Sequence, residues 1–451
     1  MSGAGAAQDL AERSPHNRAN RSHRPVVRRG VPLSEQSAEQ SEQAVGTIGL
    51  MRPLDAAVPP AAPAPDETWT FGRVLKEDAD GNPVHEATAW VYHGEGNSGL
   101  VRPVLLADGF NSGHSSLDGL YDGLERGAYP LLGELRRSGR DVIILGWGDR
   151  SASVLANARF ASEAILRTIA QRLGGERLVV GGFSMGGLVT RYALARLEHQ
   201  RIDHQTGVYF SWDTPHRGAW VPIGLQAFAH YLKQLNPYNR ALSDQINSPA
   251  AKQMLWRHLD SVQASAEVTT EREEFLAELE RVGGWPRIPR LLAVANGRGD
   301  GSGNGAEAGV PALRSTGPAF PRTVLRTQQE GAGTVVAELR AVLGRDETVT
   351  TDDLPEFDGA PGGTLSSFAI AAAALNALPL ASAEAPVPSV CFVPTVSAVS
   401  IRDLDTTELL RTDIDKTPPD ESDFDDFLCA SENEPHTKIT EELGSWLLDR
   451  F

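Results

Sequence analysis

The chain has 451 residues, of which 41% are hydrophobic, 6% aromatic and 22% charged. This composition is that of a globular protein and excludes a collagen-like, coiled-coil or wholly disordered chain. The formal net charge of −17, from 42 Lys and Arg against 59 Asp and Glu, repels phosphate backbones and argues against a nucleic-acid partner. Because a single core usually stops growing near about 250–300 residues, we expect either one large domain with insertions or two domains. Cys391 and Cys429, the two cysteines, allow at most one disulfide.

Residues 1–66 are predicted to form a disordered tail that ends in a linker rich in Pro and Ala. The segment is polar, with too little apolar surface to offset the entropy cost of ordering. Arg28 and Arg29 resemble part of a twin-arginine export signal, but no apolar segment follows them, so we expect a cytoplasmic protein. The apolar run Phe368–Leu380 is shorter than the about 20 residues that a membrane-spanning helix needs, and no transmembrane segment is predicted.

Short apolar runs alternate with amphipathic stretches between residues 68 and 212. Thr68–Leu75 and His85–His93 flank the turn sequence DGNP and predict an antiparallel hairpin. Further strands are predicted at 102–107, 141–146, 177–180 and 207–212, and helices at 116–138, 152–173 and 187–198. Strands and helices that alternate in this way predict a parallel sheet with right-handed crossovers, which the hairpin extends into a mixed sheet.

The sequence GGFSMGG lies between the strand predicted at 177–180 and an amphipathic helix. Within it, Gly182, Ser184 and Gly186 match the G-x-S-x-G pattern. A serine on a sharp turn from strand to helix has its hydroxyl exposed above the sheet, and side chains two residues before or after it would collide in that turn. We therefore predict Ser184 as a catalytic nucleophile.

A second loop, with the sequence DGFN at residues 108–111, directly follows the strand predicted at 102–107. In an acyl-transfer site, backbone amides beside the nucleophile stabilise the oxyanion that develops on the substrate. We predict that the amides of Phe110 and Met185 form this oxyanion hole.

Three segments, LLADGFN, VVGGFSMGG and DTPHRG, resemble those of the lipase-type α/β-hydrolase family, which includes bacterial lipases and GPI-inositol-deacylase-like serine esterases. The resemblance covers roughly residues 68–451, with long departures after residue 219. It implies an α/β-hydrolase fold over residues 67–451, with a mostly parallel central sheet, helices on both faces and a helical cap or lid inserted at about 219–286. A flexible insertion is expected at about 297–388. The apolar segment Ala219–Leu235 is interpreted either as part of a lid that lines an acyl pocket or as additional core.

The family order of nucleophile, acid and base places the base near the end of the chain. No histidine lies between His258 and His436, so His436 is the predicted general base. The acid is left open between Asp213, directly after the strand at 207–212, and Asp300, after a strand at 291–295. Further alternatives are Asp403, Asp405 and the acidic run at 420–426.

These residues predict a serine carboxylic-ester hydrolase, an esterase or lipase, that acts on a small-molecule or lipid ester through an acyl-enzyme on Ser184. No cofactor or metal is expected, because His114 and His216 lack the spacing of metal ligands. An acyltransferase, a thioesterase or an amidase would use the same triad, and a non-catalytic binding protein with this fold is a further alternative. The acyl chain length and the oligomeric state stay open.

Overall fold

The computed structural model describes residues 58–79, 81–342 and 344–451. Most of the tail and linker predicted over residues 1–66 therefore lies outside the described residues. The described end of that linker is hydrogen-bonded to the rest of the folded chain. The Tyr92 hydroxyl donates a hydrogen bond to the carbonyl oxygen of Pro63 at 2.7 Å, and the Arg126 guanidinium donates to those of Pro60 and Ala61 at 2.7 and 2.8 Å.

The strands of the described residues are Glu67–Glu77 (β1), Pro83–Tyr92 (β2), Pro103–Ala107 (β3), Asp141–Trp147 (β4), Leu178–Phe183 (β5), Thr206–Trp212 (β6), Arg290–Ala295 (β7), Pro311–Ser315 (β8), Val324–Arg326 (β9), Thr334–Leu339 (β10), Glu347–Thr351 (β11), Gly362–Leu365 (β12), Ala383–Glu384 (β13), Val390–Pro394 (β14) and Asp426–Cys429 (β15). The α-helices are Leu117–Glu125 (α1), Leu131–Arg137 (α2), Val154–Gln171 (α3), Met185–His199 (α4), Ile223–Leu235 (α5), Ala241–Ile246 (α6), Pro249–Met254 (α7), Thr270–Arg281 (α8), Ser367–Asn376 (α9), Thr395–Ala398 (α10), Thr407–Leu410 (α11) and Glu441–Leu448 (α12). Short 3₁₀ helices lie at Phe357–Gly359, Ile414–Lys416 and Pro419–Glu421.

Eight strands form the central sheet in the order β1-β2-β4-β3-β5-β6-β7-β15. The pairs β1–β2 and β2–β4 are antiparallel, and all the others are parallel. The predicted hairpin and mostly parallel sheet are therefore confirmed. Since the carboxyl ends of parallel strands share one edge, the loops after β3, β5, β6 and β7 come together there.

Helices cover both faces of this sheet, as predicted. Alternate residues of β3 and β4 point to opposite sides. Leu105 and Ile143 pack in the core that contains α3 and α4, whereas Leu106 and Ile144 pack in the core that contains α2 and α12. Because both faces are buried, these strands are continuous apolar runs rather than alternating ones.

The single helix predicted over 116–138 is instead two helices, α1 and α2. Gly127 and Pro130 lie between them. Proline lacks a backbone N–H and its ring clashes with the preceding turn, so a helix does not continue through this segment. The break separates α1 from α2 and leaves α1 as a short helix above the end of β3.

The insertion predicted to be flexible, at about 297–388, contains regular structure. A second, five-stranded antiparallel sheet has the order β11-β10-β9-β8-β13, and β12 pairs with β14 outside it. These strands are short and bounded by Gly and Pro, so they lack the long alternation that predicts a strand from sequence. The segment also contains α9, which overlaps the apolar run 368–380.

The other predicted insertion, at about 219–286, contains helices α5 to α8. Every residue of α5 from Ile223 to Leu232 is buried, which makes this helix part of the core. Among the described helices, none combines the length and the apolar character of a membrane-spanning helix.

Candidate active site

Ser184 is the single residue between the end of β5 and the start of α4. Its backbone has φ 52° and ψ −123°, a conformation that is costly for a residue with a side chain. A Cβ added to Gly182 would lie 2.5 Å from the backbone of Gly186, and one added to Gly186 would overlap the carbonyl oxygen of Ala107. The turn therefore requires glycine on both sides of the serine. Together with the order of strands in the central sheet, a serine in such a turn between β5 and α4 identifies the fold.

The chain has an α/β-hydrolase fold. The predicted fold class is thereby confirmed. Among the other candidate residues, Phe110, Asp213 and Asp300 follow the carboxyl ends of β3, β6 and β7.

Asp213 and His436 are in contact, and both side chains are fully buried. Nδ1 of His436 lies 2.6 Å from Oδ2 of Asp213, with 0% of either side chain exposed. Asp213 directly follows β6 and has φ 46°. Its other oxygen, Oδ1, accepts a hydrogen bond from the Asn296 backbone N–H at 2.9 Å. The carboxylate is thus held from two sides and oriented towards the imidazole.

Asp300, the other main candidate for the acid, has different partners. Its carboxylate pairs with the Arg298 guanidinium and accepts a hydrogen bond from the Ser302 backbone N–H at 2.9 Å. The hydrogen bond from Arg298 holds the pKa of this carboxyl well below its usual range. Several of the further alternatives pair with arginines, namely Asp403, Asp405, Asp423 and Asp426. Of the carboxylates considered, Asp213 is the one that contacts His436.

Ser184 and His436 line one cavity of ≈ 200 Å³. Nε2 of His436 is buried and has no hydrogen-bond partner among the described residues, so the imidazole and Ser184 are not hydrogen-bonded in this structure. In unliganded enzymes such hydrogen bonds are often long and shorten when substrate binds. The imidazole and the Phe392 ring pack in a T-shaped arrangement, with 4.8 Å between ring centres. Asp213 and Phe392 thus fix the ring, and Nε2 is its nitrogen without a hydrogen-bond partner in the described chain.

Asp108 holds the loop that carries the first predicted oxyanion donor. Its Oδ1 accepts a hydrogen bond from the Gly109 N–H at 2.7 Å, and its Oδ2 accepts one from the Ser115 hydroxyl at 2.6 Å. Phe110 lines the cavity, and its own amide donates no hydrogen bond within the described part of the chain. This amide is therefore available to an oxyanion.

Met185, the second predicted donor, is the first residue of α4. The first amides of a helix have no acceptor within it and carry the positive end of the helix dipole. Met185 is fully buried and does not itself line the cavity. The cavity wall is instead formed by the loop after β3, by α1, by Arg150 and by the segment at 436–437. Residues 219–235, interpreted above as a lid or as core, do not line it.

Asn296 connects the segment that carries Asp213 to the one that carries His436, a role that the sequence did not predict. It is fully buried at the end of β7. Its side-chain oxygen accepts a hydrogen bond from Trp212 Nε1 at 2.9 Å, and its side-chain nitrogen donates one to the Lys438 carbonyl oxygen at 2.7 Å. Its carbonyl oxygen accepts one from the Glu434 N–H at 2.7 Å. Asn296 thus fixes the end of β6 relative to the loop that contains His436.

Strand β12 is a second support that the sequence did not reveal. The backbone N–H of His436 donates to the carbonyl oxygen of Thr364 at 2.8 Å, and the Thr364 N–H donates to the Glu434 carbonyl oxygen at 2.9 Å. A Cβ added to the neighbouring Gly363 would collide with the Asp213 carboxylate. The close approach of β12 therefore depends on this glycine.

No three His, Cys, Asp or Glu side chains of the described chain converge as metal ligands would. His216, considered above as a metal ligand, instead contacts the Arg191 guanidinium at 3.2 Å and the Ser211 hydroxyl at 3.1 Å. Burial and the neighbouring Arg191 lower the pKa of His216 well below its usual value.

No family model and no curated protein sequence matches the chain. Among solved structures it is similar to the mature lipase BlEst2 of Bacillus licheniformis, with 13% identity and a TM-score of 0.27 over 52% of this chain and 73% of that one. It is also similar to an esterase of Pyrobaculum calidifontis, with 11% identity and a TM-score of 0.30 over 58% and 73% of the two chains. A third is Est1E of Butyrivibrio proteoclasticus, with 15% identity and a TM-score of 0.27 over 49% and 76%. The fold assignment does not depend on these distant similarities.

Proposed function

We propose that this protein is a serine carboxylic-ester hydrolase with Ser184 as nucleophile, His436 as general base and Asp213 as acid. The observation that carries the proposal is that two features meet in one cavity. The first is Ser184 in a strained turn. The second is the imidazole of His436, whose Nδ1 is hydrogen-bonded to the buried carboxylate of Asp213. Nε2 of His436 is buried and has no hydrogen-bond partner among the described residues, which suits a general base that receives the proton of Ser184.

In the first half-reaction, Ser184 Oγ attacks the carbonyl carbon of the ester and its proton passes to Nε2 of His436. Asp213 accepts a hydrogen bond from Nδ1–H, which fixes the tautomer and stabilises the imidazolium that forms. The backbone amides of Phe110 and Met185 donate to the oxyanion of the tetrahedral intermediate. The C–O bond then breaks, and His436 protonates the departing alcohol.

In the second half-reaction, water attacks the acyl-enzyme and gives its proton to Nε2 of His436. The second tetrahedral intermediate collapses to the carboxylic acid, and Ser184 recovers its proton. The cavity at Ser184, with a volume of ≈ 200 Å³, has room for this water and for the reacting part of the ester.

Hydrolysis of p-nitrophenyl acetate and butyrate tests the proposal. Replacing Ser184 with Ala should lower kcat by about 10⁴-fold or more, because both steps need the hydroxyl. Ser162→Ala is the matched control, since Ser162 lies on α3 and donates only to the Ala158 carbonyl oxygen. Wild-type activity that survives in Ser184→Ala would contradict the proposal. Parallel thioester and anilide substrates distinguish ester cleavage from the thioesterase and amidase alternatives.

A further inference from the structure

A second, apolar cavity adjoins the candidate active site. Its volume is ≈ 140 Å³, and it lies between α1 and the edge of the central sheet. Its apolar wall consists of Leu106, Leu120, Leu124, Ile144, Phe183 and Ile439. We call it the side pocket.

The side pocket and the cavity at Ser184 share part of their walls. Asp108, Gly119, Leu120, Phe183 and Thr437 line both. Phe183 directly precedes Ser184, and Thr437 directly follows His436. The entrance of the side pocket is therefore beside the reacting groups.

The loose packing of α1 explains why this gap exists. Leu124 is the one buried residue of that helix. Gly119, Leu120, Gly123 and Leu124 are spaced so that they share one helical face, and all four line the side pocket. A Cβ added to Gly123 would meet nothing within 4 Å. Two of these four residues, Gly119 and Gly123, are glycines, and their lack of a side chain leaves the space open.

We infer that the side pocket binds the unbranched hydrocarbon chain of the ester substrate. The inference rests on the function proposed above and narrows its substrate class to aliphatic esters. Moving methylene groups from water into an apolar cavity beside the nucleophile is favourable. Asp108, the charged residue of the wall, already accepts hydrogen bonds from the Gly109 N–H and the Ser115 hydroxyl. The chain belongs either to the acyl or to the alcohol side of the ester, and the two are separable by experiment.

The size of the side pocket limits the length of that chain. If a methylene needs about 30 Å³, as a water molecule does, a cavity of ≈ 140 Å³ holds about four or five carbon atoms. Each methylene that enters should raise kcat/KM by about fourfold, and further methylenes should add little.

The test measures kcat/KM for two series of esters with wild type, Gly123→Ala and Gly123→Leu. One series is p-nitrophenyl acetate, butyrate, hexanoate and decanoate, and the other is the corresponding alkyl acetates. For the series whose chain enters the side pocket, wild type should prefer the butyl or hexyl length over the shortest ester by about tenfold or more. Gly123→Leu should abolish that preference and Gly123→Ala should reduce it, because each added side chain occupies space that the hydrocarbon chain would fill.

Gly175→Leu is the control, because Gly175 also has open space around its Cβ position and lies outside both cavities. Both substitutions at position 123 replace glycine within a helix and favour folding, and Gly123→Ala remains a test if the larger side chain is not tolerated. Hydrolysis with a chain-length profile that both Gly123 variants leave unchanged would overturn the side-pocket assignment alone. Absence of hydrolysis, together with no labelling of Ser184 by a fluorophosphonate, would overturn the proposed function as well.

Discussion

The Asp213 carboxylate and the His436 imidazole are in contact at the candidate site, and both side chains are buried from water. Burying a charged group is costly unless it is paired and hydrogen-bonded, and Asp213 meets both conditions through His436 and the Asn296 amide. Asp213→Asn should lower kcat/KM by about 10³–10⁴-fold, because the imidazole loses the acceptor that fixes its tautomer. Asp300→Asn should stay within about threefold, since Asp300 forms an exposed pair with Arg298. Steady-state kinetics of the two variants decides between the acids, and the reverse order of losses would reject Asp213.

Asn296 is predicted to be a positioning residue for the same pair. Asn296→Ala keeps the backbone donor to Asp213 but removes the side-chain bonds to Trp212 and Lys438. Displacing a catalytic group by about 1 Å costs up to about 10²-fold in rate. We expect kcat to fall by about 10- to 100-fold while KM changes by less than about threefold.

A thermal unfolding curve of Asn296→Ala separates this role from a purely structural one. If the folded variant keeps the wild-type kcat, or if its activity falls only in proportion to the folded fraction, Asn296 does not position the site. A kcat loss in a fully folded variant, with a changed pH profile of kcat, supports the positioning role.

At the scale of elements, β12 belongs to the insertion that follows β7 and contacts both His436 and Asp213. Gly363→Ala places a methyl group against the Asp213 carboxylate, so either β12 or Asp213 must move. Overpacking of this kind typically costs about 1–3 kcal/mol of unfolding free energy. We predict that loss in urea unfolding, together with at least about a tenfold fall in kcat. Gly175→Ala, whose Cβ meets nothing within 4 Å, is the control. Unchanged stability and activity in Gly363→Ala would show that β12 does not fix Asp213.

The elements closest to the elbow could be predicted from sequence because their signals are local. Gly182 and Gly186 are within two residues of Ser184, and the buried strands β3 to β6 are continuous apolar runs. The five-stranded antiparallel sheet could not, since its strands have two to six residues and their connections are longer than the short turns that mark a hairpin in sequence. Single residues such as Gly127 and Pro130 divided a helix whose apolar spacing predicts one continuous element.

The supports of the site were not predictable for a different reason. Asn296 and Thr364 contact the loop around His436 from far away along the chain. The separation is 142 residues between Asn296 and Lys438 and 70 residues between Thr364 and Glu434. No spacing rule connects such residues. Sequence order favoured Asp213 but kept Asp300 as an alternative acid, and the three-dimensional contact with His436 is what distinguishes them.

At the scale of the whole molecule, Asp358 connects the segment before α5 to the second sheet. Its carboxylate accepts hydrogen bonds from Trp220 Nε1 at 2.8 Å and from the Gln328 N–H at 2.6 Å. Burial raises the pKa of this carboxyl to about 6. Since an unfolded Asp has a pKa of about 3.9, the folded state favours the protonated form. This stabilisation is fully present below about pH 4 and is lost as the pH rises through about 6.

The loss amounts to about 2 kcal/mol between pH 4 and pH 7, because the unfolded carboxyl is already about half titrated at pH 4. Asp358→Asn removes this titration, so the difference in unfolding free energy between wild type and variant should change by about that amount over the same range. Urea unfolding at several pH values measures it. A difference that does not vary with pH would mean that the Asp358 carboxyl titrates alike in the folded and unfolded chains.

The nucleophilicity of Ser184 is the property on which the proposed function depends most directly, and a single covalent labelling measurement tests it. The wild-type protein is treated with an alkyl fluorophosphonate and analysed by intact-mass spectrometry and peptide mapping. We predict one adduct per chain, on the peptide that contains Ser184, with loss of labelling in Ser184→Ala and slower labelling in Asp213→Asn. A protein that remains unlabelled, or that is labelled equally when Ser184 is replaced, would contradict the assignment of this site.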